Sequence, residues 1–283
     1  MLRGASGANP SNLIRVMPAE GVREMHAPQG DISQRVDLAD CAGDLIDRLR
    51  SRQPRVHCIT NAVAQNFTPN VLLAVGALPS MTISSDEVAA FAARSDALLV
   101  NLGTFDAERR AAVNAALAEV TAAEKPWVLD PVLIDRSPPR AAYARSLLAH
   151  RPAAIRMNAA EFSELAGTGA APDFAQEQRS VIAITGKTDV VTNAERAAQI
   201  ANGHALMARV TAMGCAESAL IAAALAVEPD PFRAVAAALL IFGVAGDIAG
   251  ESANGPGSFS VHFLDALFNL DLETIRARAK VSS

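Results

Sequence analysis

The chain has 283 residues, 51% hydrophobic and only 4% aromatic, with a net charge of −5 at pH 7. That is enough apolar material for one large α/β domain, and the mild acidity offers no nucleic-acid-binding surface. The three cysteines, Cys41, Cys58 and Cys215, are odd in number and scattered, which fits neither a disulfide framework nor a zinc site and points to a reducing cytoplasm.

Residues 1–33 are rich in Gly, Pro and Ser without periodicity and read as a disordered extension ahead of a single domain over 34–283. Strands are predicted at 56–59, 97–100, 126–130, 153–157 and 181–185, where apolar residues run without a break. Helices are predicted between them, at 66–75, 106–123, about 141–150 and 158–166. Ser84 and Glu87 have capping-box spacing for a further helix reaching Arg94. Asp106 reads as an N-cap and Gly167 as a helix stop. Over 189–210 the rhythm changes to two or three short strands, with turns at 192–193 and at Asn202-Gly203, a hairpin dipeptide. Alanine-rich helices follow at 215–227 and 231–250, then two more near 258–269 and 271–280. No apolar run is long and uncharged enough to span a bilayer, since 234–246 is short and continues into Asp247. Strands alternating with helices predict a mostly parallel sheet covered on both faces, with an antiparallel edge.

The polar clusters fall at the carboxyl ends of strands, where open α/β sheets bind ligands. Asn61 suits substrate binding through its amide, or a plain strand-to-helix turn. Asp130, in Leu129-Asp-Pro-Val132, suits Mg²⁺ held through water, or an Asp-Pro turn. Arg156 can clamp nucleotide phosphates. Asn158 and Glu161 suit a metal site, with Glu161 on the ion or its waters, or an Asn N-cap with Glu three residues on. Thr185 and Gly186 suit a nucleotide phosphate or a simple turn. The stretch Thr211-Ala-Met-Gly-Cys215 turns a strand into a helix. A phosphate can sit there on the backbone N–H groups of 212–215, with Cys215 held at a lowered pKa by the helix end. The other reading is a small cysteine buried between helix and sheet.

The motifs Val56-His-Cys-Ile-Thr-Asn61, Asn66-Phe-Thr-Pro-Asn70, Gly76-Ala-Leu-Pro-Ser-Met81, Asn101-Leu-Gly-Thr104, Leu129-Asp-Pro-Val132, Ala154-Ile-Arg-Met-Asn158-Ala-Ala-Glu161, Ala183-Ile-Thr-Gly186 and Gly255-Pro-Gly-Ser-Phe259 occur in that order. Together, over about 38–275, they resemble the hydroxyethylthiazole kinase family of thiamine salvage. The resemblance implies a ribokinase-like fold, a homotrimer with active sites between subunits, and transfer of the ATP γ-phosphate to the hydroxyl of 4-methyl-5-(2-hydroxyethyl)thiazole. It implies Asn61, Met81 and Ala212 at the thiazole substrate, Arg156 and Thr185 at the nucleotide, and Asp130 and Glu161 near Mg²⁺. It places Ala212, Met213 and Gly214 in the phosphate loop, and Cys215 where ribokinase relatives carry an aspartate base.

Three departures from that family pattern enlarge small residues. Ala212 stands for a glycine and is strained if the position needs a positive φ. Met213 adds bulk within the phosphate loop, and Met157 replaces a glycine between Arg156 and Asn158. Leu133-Ile-Asp-Arg-Ser137 replaces a Gly-rich loop. Glu217, in the first turn after Cys215, would repel phosphate if it faced the site. These changes keep a second reading open beside the working kinase: a non-catalytic or altered-specificity relative that binds a thiazole-like molecule without efficient phosphotransfer.

Overall fold

Six parallel strands, all but the short Leu78–Ser80 dense in Val, Ile, Leu and Ala, run through a computed structural model that describes residues 32–282. They are β1 (Arg55–Ile59), β2 (Leu78–Ser80), β3 (Ala97–Asn101), β4 (Trp127–Asp130), β5 (Ala154–Asn158) and β6 (Val181–Thr185). The sheet has nine strands in the order β2-β1-β3-β4-β5-β6-β7-β8-β9. Here β7 is Asp189–Thr192, β8 is Ala197–Ile200 and β9 is Val281–Ser282, all added antiparallel. The predicted extension over 1–33 lies outside the described residues except for Ile32 and Ser33, which open the first helix.

Helices cover both faces, which is why the central strands are apolar throughout rather than alternating. On one face lie α1 (Ile32–Arg52), α2 (Phe67–Ala74), α8 (Met213–Val227), α9 (Pro231–Ser252), α10 (Pro256–Asn269) and α11 (Leu272–Arg278). On the other lie α3 (Val88–Arg94), α4 (Ala107–Ala122), α5 (Pro138–Leu147), α6 (Ala159–Ala166) and α7 (Ala171–Gln178). Successive strand residues point to opposite faces. Leu99, Val128, Ala154 and Ala183 enter the core under α8 and α9, while Leu98, Leu129, Ile155 and Ile182 enter the other. Two residues further on, Asn101, Asp130, Arg156 and Thr185 inherit the parity of the first set and stand at the strand ends on the α8 side.

Several expectations need correction. Helix α1 was not predicted: its apolar positions Leu38, Ala42, Leu45, Ile46 and Leu49 do have helical spacing, but charged residues interleave them. Helix α7 and strands β2 and β9 were also missed. Ser84 and Glu87 form no capping box. The helix opens at Val88, Ser84 accepts from the amides of Glu87 and Val88, and the Glu87 carboxylate instead takes the Thr82 hydroxyl. Helix α9 is long and apolar enough by composition to cross a bilayer, which the stretch 234–246 alone concealed. Yet 83% of its most apolar window is buried inside the fold, as befits the central core helix.

Asn202-Gly203 makes no hairpin. Asn202 is buried and clamps the C-terminal segment to α9. Its Nδ2 donates to Asp247 Oδ2 (2.7 Å) and Arg278 O (2.8 Å), and its Oδ1 accepts from Lys280 N (2.7 Å). That clamp delivers β9 to the sheet edge. Replacing Asn202 by Ala removes three part-buried hydrogen bonds, so the substitution is expected to destabilise the fold by about 2–3 kcal/mol in urea unfolding.

Candidate active site

The parallel strands all end on one edge of the sheet, and the first turn of α8 lies across those ends. Asn61 follows β1. Its Oδ1 accepts from Ala64 N (3.0 Å), and its Nδ2 donates to Asn101 Oδ1 (3.0 Å) and to Cys215 Sγ (3.1 Å). Asn101, the last residue of β3, sits in register with Asp130, the last of β4. Its Oδ1 also accepts from Gly103 N (3.0 Å), and its Nδ2 donates to Asp130 Oδ2 (2.6 Å). Gly103 has no room for a side chain, because a Cβ would stand 2.7 Å from Asn61. Ser218, one turn beyond Cys215, donates to Asp130 Oδ2 (2.9 Å) from α8. Cys215, Asn61, Asn101, Asp130 and Ser218 thus form one continuous hydrogen-bonded chain.

Asp130 is wholly buried, and its Oδ1 has no hydrogen-bond partner. Burial pushes its carboxyl up to about 7; Arg156 pulls it down, Glu161 pushes it up, and the bonds from Ser218 and Asn101 lower it. A carboxylate with one free oxygen at the end of a buried strand fits a divalent cation.

Cys215 corrects the expectation of a lowered pKa. Burial, with Asp130 next, pushes its thiol up to about 11, against the pull of Asn101, Asn61 and Arg156. Desolvation outweighs the helix end, so the thiol keeps its proton at neutral pH.

The loop before Cys215 carries the strain that the sequence suggests. Ala212 is the N-cap of α8 at φ +68°, ψ 8°, with no side-chain cap. Met213 does not crowd the loop: its side chain is buried in the core under α8 and α9. Met157 likewise points into the opposite core, on the other side of the sheet from Arg156. Leu133 adopts a left-handed conformation, φ +58°, and the following Ile134 plugs the core. The enlargements that favoured a non-catalytic relative are therefore absorbed by the interior or by local strain, and that reading loses its support.

Arg156 leaves β5 toward α8 and is held by Glu217. Its Nε donates to Glu217 Oε2 (3.0 Å) and its Nη2 lies 2.9 Å from the same oxygen. Burial pulls this guanidinium down, but Glu217, Asp130, Glu161 and Cys215 together hold it above its ordinary value, so it stays charged. Glu217, expected to repel phosphate if it faced the site, is instead paired.

Glu161 and Asn158 form a complete capping box on α6. Glu161 Oε2 accepts from Asn158 N (2.9 Å), and its Oε1 accepts from Leu133 N (2.8 Å), which ties the 131–136 turn to the site. Thr185 pairs in register with Asn158, and its hydroxyl reaches only Met157 O at 3.5 Å. Met81 follows β2, half-buried against the α8-side core. So Asn61, Asp130, Arg156, Gly214 and Cys215 come together, and Glu161 joins them through its backbone bonds. Met81 and Thr185 mark the two flanks, five strand spacings or about 24 Å apart. Asn101 and Ser218 were missed as site residues. Strand parity at Asn101 and the i, i+3 spacing of Cys215 and Ser218 are the signals that would have found them.

Two expectations follow from these geometries. Ala212→Gly relieves the left-handed alanine and is expected to raise unfolding free energy by about 1 kcal/mol, read from the urea midpoint. Asp130 holds a proton between its unfolded value of 3.8 and about 7 that the unfolded chain lacks, so its contribution to stability falls as pH rises through that window. Asp130→Asn is therefore expected to stabilise the chelator-treated protein by about 2 kcal/mol at pH 8, and by little at pH 4.

Comparison with known proteins returns a consistent set. The sequence model of the Hydroxyethylthiazole kinase family matches residues 46–171 and 168–273. The probable hydroxyethylthiazole kinase of Agrobacterium fabrum is 42% identical over 240 residues, 85% of this chain and 94% of its own. The hydroxyethylthiazole kinase of Klebsiella pneumoniae is 46% identical over 237 residues, 78% of this chain and 92% of its own. Among solved structures, the hydroxyethylthiazole kinase protein of Pyrococcus horikoshii OT3 superposes with a TM-score of 0.83 at 35% identity, covering 86% of this chain and 98% of that one. A ribokinase-like superfamily protein of Enterococcus faecalis, 15% identical with a TM-score of 0.59 over 80% of this chain and 93% of its own, shares the fold.

Proposed function

The chain belongs to the hydroxyethylthiazole kinase family, and we propose that it transfers the γ-phosphate of ATP to the hydroxyl of 4-methyl-5-(2-hydroxyethyl)thiazole at the junction of α8 with the ends of β1, β3, β4 and β5. The observation that carries this reading is the single hydrogen-bonded chain from Cys215 through Asn61 and Asn101 to Asp130. It sets an alcohol-side group and a cation-side carboxylate in one rigid frame. In the reaction the bond from the γ-phosphorus to the β–γ bridging oxygen breaks. A bond from phosphorus to the substrate oxygen forms, ADP leaves with the bond's electron pair on its bridging oxygen, and the hydroxyl proton passes to solvent water.

Asn61 supplies the polar anchor for a small apolar ring, with Met81 on its flank and Ala212 at the turn facing it. The amides at the start of α8, from Met213 to Cys215, lack partners within the helix and point at the phosphates as they pass between alcohol and nucleotide. Arg156 binds the phosphates as a cation, and Thr185 closes the nucleotide flank. Mg²⁺, when bound, neutralises the phosphate oxygens. Asp130, with its free buried oxygen, is the residue that fits it, and Glu161 stands behind with each oxygen already accepting one amide.

Cys215 is a poor base, because its proton stays on at neutral pH. Its part is to hold the hydroxyl oxygen, so most of the rate comes from orientation and electrostatics around the phosphate. The homotrimer belongs to the same proposal. Exposed Leu73, Leu78, Val261 and Phe268 lie on α2, β2 and α10, which pack on one another, and they offer an apolar face to a second copy. A cytoplasmic location agrees with the free cysteines.

The test is ³¹P NMR of the products with ATP, Mg²⁺ and the thiazole alcohol, followed by kinetics of two variants. Cys215→Ser is expected to lower kcat roughly tenfold with thiazole affinity within about twofold, and Cys215→Asp to raise kcat by supplying a base that is already ionised at neutral pH. Wild-type turnover in the serine variant would remove Cys215 from the reaction.

A further inference from the structure

Glu217 is a buried carboxylate that the reaction as described leaves without a role. It lies one turn into α8, and among the described residues it is the one carboxylate within hydrogen-bond distance of Arg156. A single oxygen, Oε2, takes both Nε and Nη2 of the guanidinium, which leaves Nη1 free of protein acceptors. On its other side the guanidinium is pressed against Gly214. A Cβ there would stand 2.6 Å from Nη1, 2.8 Å from Nη2 and 2.9 Å from Cζ. Gly214 and Glu217 are three residues apart and so share a face of α8. They form the two walls of a slot: bare backbone on one side, a carboxylate on the other.

The slot matters because arginine is long and carries many rotamers. An arginine that must find its anion from a mobile ensemble gives up that freedom at the moment of binding, whereas one already fixed does not. Glu217 removes the freedom in advance. It also places a negative charge beside the site, which by itself disfavours an anionic ligand. The two effects oppose each other and can be separated by substitution: glutamine keeps an acceptor and discards the charge, and alanine discards both.

We propose that Glu217 is a positioning residue for nucleotide binding, holding the Nε and Nη2 edge of Arg156 while Gly214 leaves room for the guanidinium beside it, so that Nη1 meets the phosphates of ATP above the first turn of α8. This rests on the reading of Arg156 as the phosphate-binding arginine. It assigns a use to the buried ion pair, and it explains why position 214 is a glycine.

The experiment measures kcat and both KM values for Glu217→Ala, Glu217→Gln and Arg156→Ala. Glu217→Ala is expected to raise the KM for ATP about tenfold while leaving the KM for the thiazole alcohol within about twofold. Glu217→Gln is expected to stay within about threefold of wild type for ATP, because its amide oxygen still accepts from Nε. A wild-type KM for ATP in Glu217→Ala overturns the proposal. So do equal rises in both KM values, which mark a merely structural role, and so does a glutamine variant as impaired as the alanine one. Should Glu217→Ala not accumulate as folded protein, Glu217→Asp carries the same test with a carboxylate one methylene short of Arg156. An unchanged KM for ATP in Arg156→Ala would bring down the nucleotide assignment itself. That outcome is distinct from a silent Glu217→Ala in an enzyme that needs Arg156.

Discussion

Two buried asparagine amides hold three strand ends and one helix in a fixed relation. Asn61 commits its oxygen to the turn behind it and its nitrogen to Asn101 and Cys215. Asn101 commits its oxygen to Asn61 and Gly103 and its nitrogen to Asp130. Because each amide has distinct donor and acceptor ends already engaged, neither can turn over without leaving a buried group unpaired. The helix start at Cys215 and the carboxylate at Asp130 therefore cannot move independently. Both inherit their place from amides that touch neither phosphate nor metal in the chemistry proposed.

The same region concentrates features that work against stability. Asp130 is a buried carboxylate with an oxygen that no protein group satisfies, and Ala212 and Leu133 occupy left-handed backbone without being glycine. Such features persist only where the surroundings over-determine them. Here the surroundings are two apolar cores divided by the sheet, with the largely buried α8 and α9 on one side. The chemistry of the site and the stability of the fold pull in opposite directions at one carboxylate, and the alanine-rich core supplies the margin.

Much of this was legible in the residues, and what was not has physical causes. Five of the six parallel strands and most helices could be read because buried strands are short unbroken apolar runs between helical stretches, whereas the short Leu-Pro-Ser of β2 carries no such run. Helix α1 was hidden because its apolar stripe is diluted by Asp and Arg, which keep the outer face wet. Asn202-Gly203 misled because the dipeptide that favours a tight hairpin also suits a buried amide clamp, and only the partners in α9 and the C-terminal segment decide between them. That Asn61, Asp130, Arg156 and Cys215 stand close together was readable from their position at strand ends and at a helix start. The lowered thiol pKa was misjudged because desolvation depends on packing, which spacing does not reveal. The pairing of Glu217 was hidden for a related reason: its partner lies 61 residues away on another element.

Alternation along the strands also governs what kinds of change this protein can accumulate. Asn101, Asp130 and Arg156 reach α8 only because each lies an even number of positions along its strand from the anchor in the core beneath. Inserting or deleting one residue within β3, β4 or β5 would turn that strand's functional side chain to the opposite face and its core residues with it. A change of the same size in the exposed turn between β7 and β8 would alter neither. The reading frame of the site is thus carried by strand length as well as by the identity of its residues.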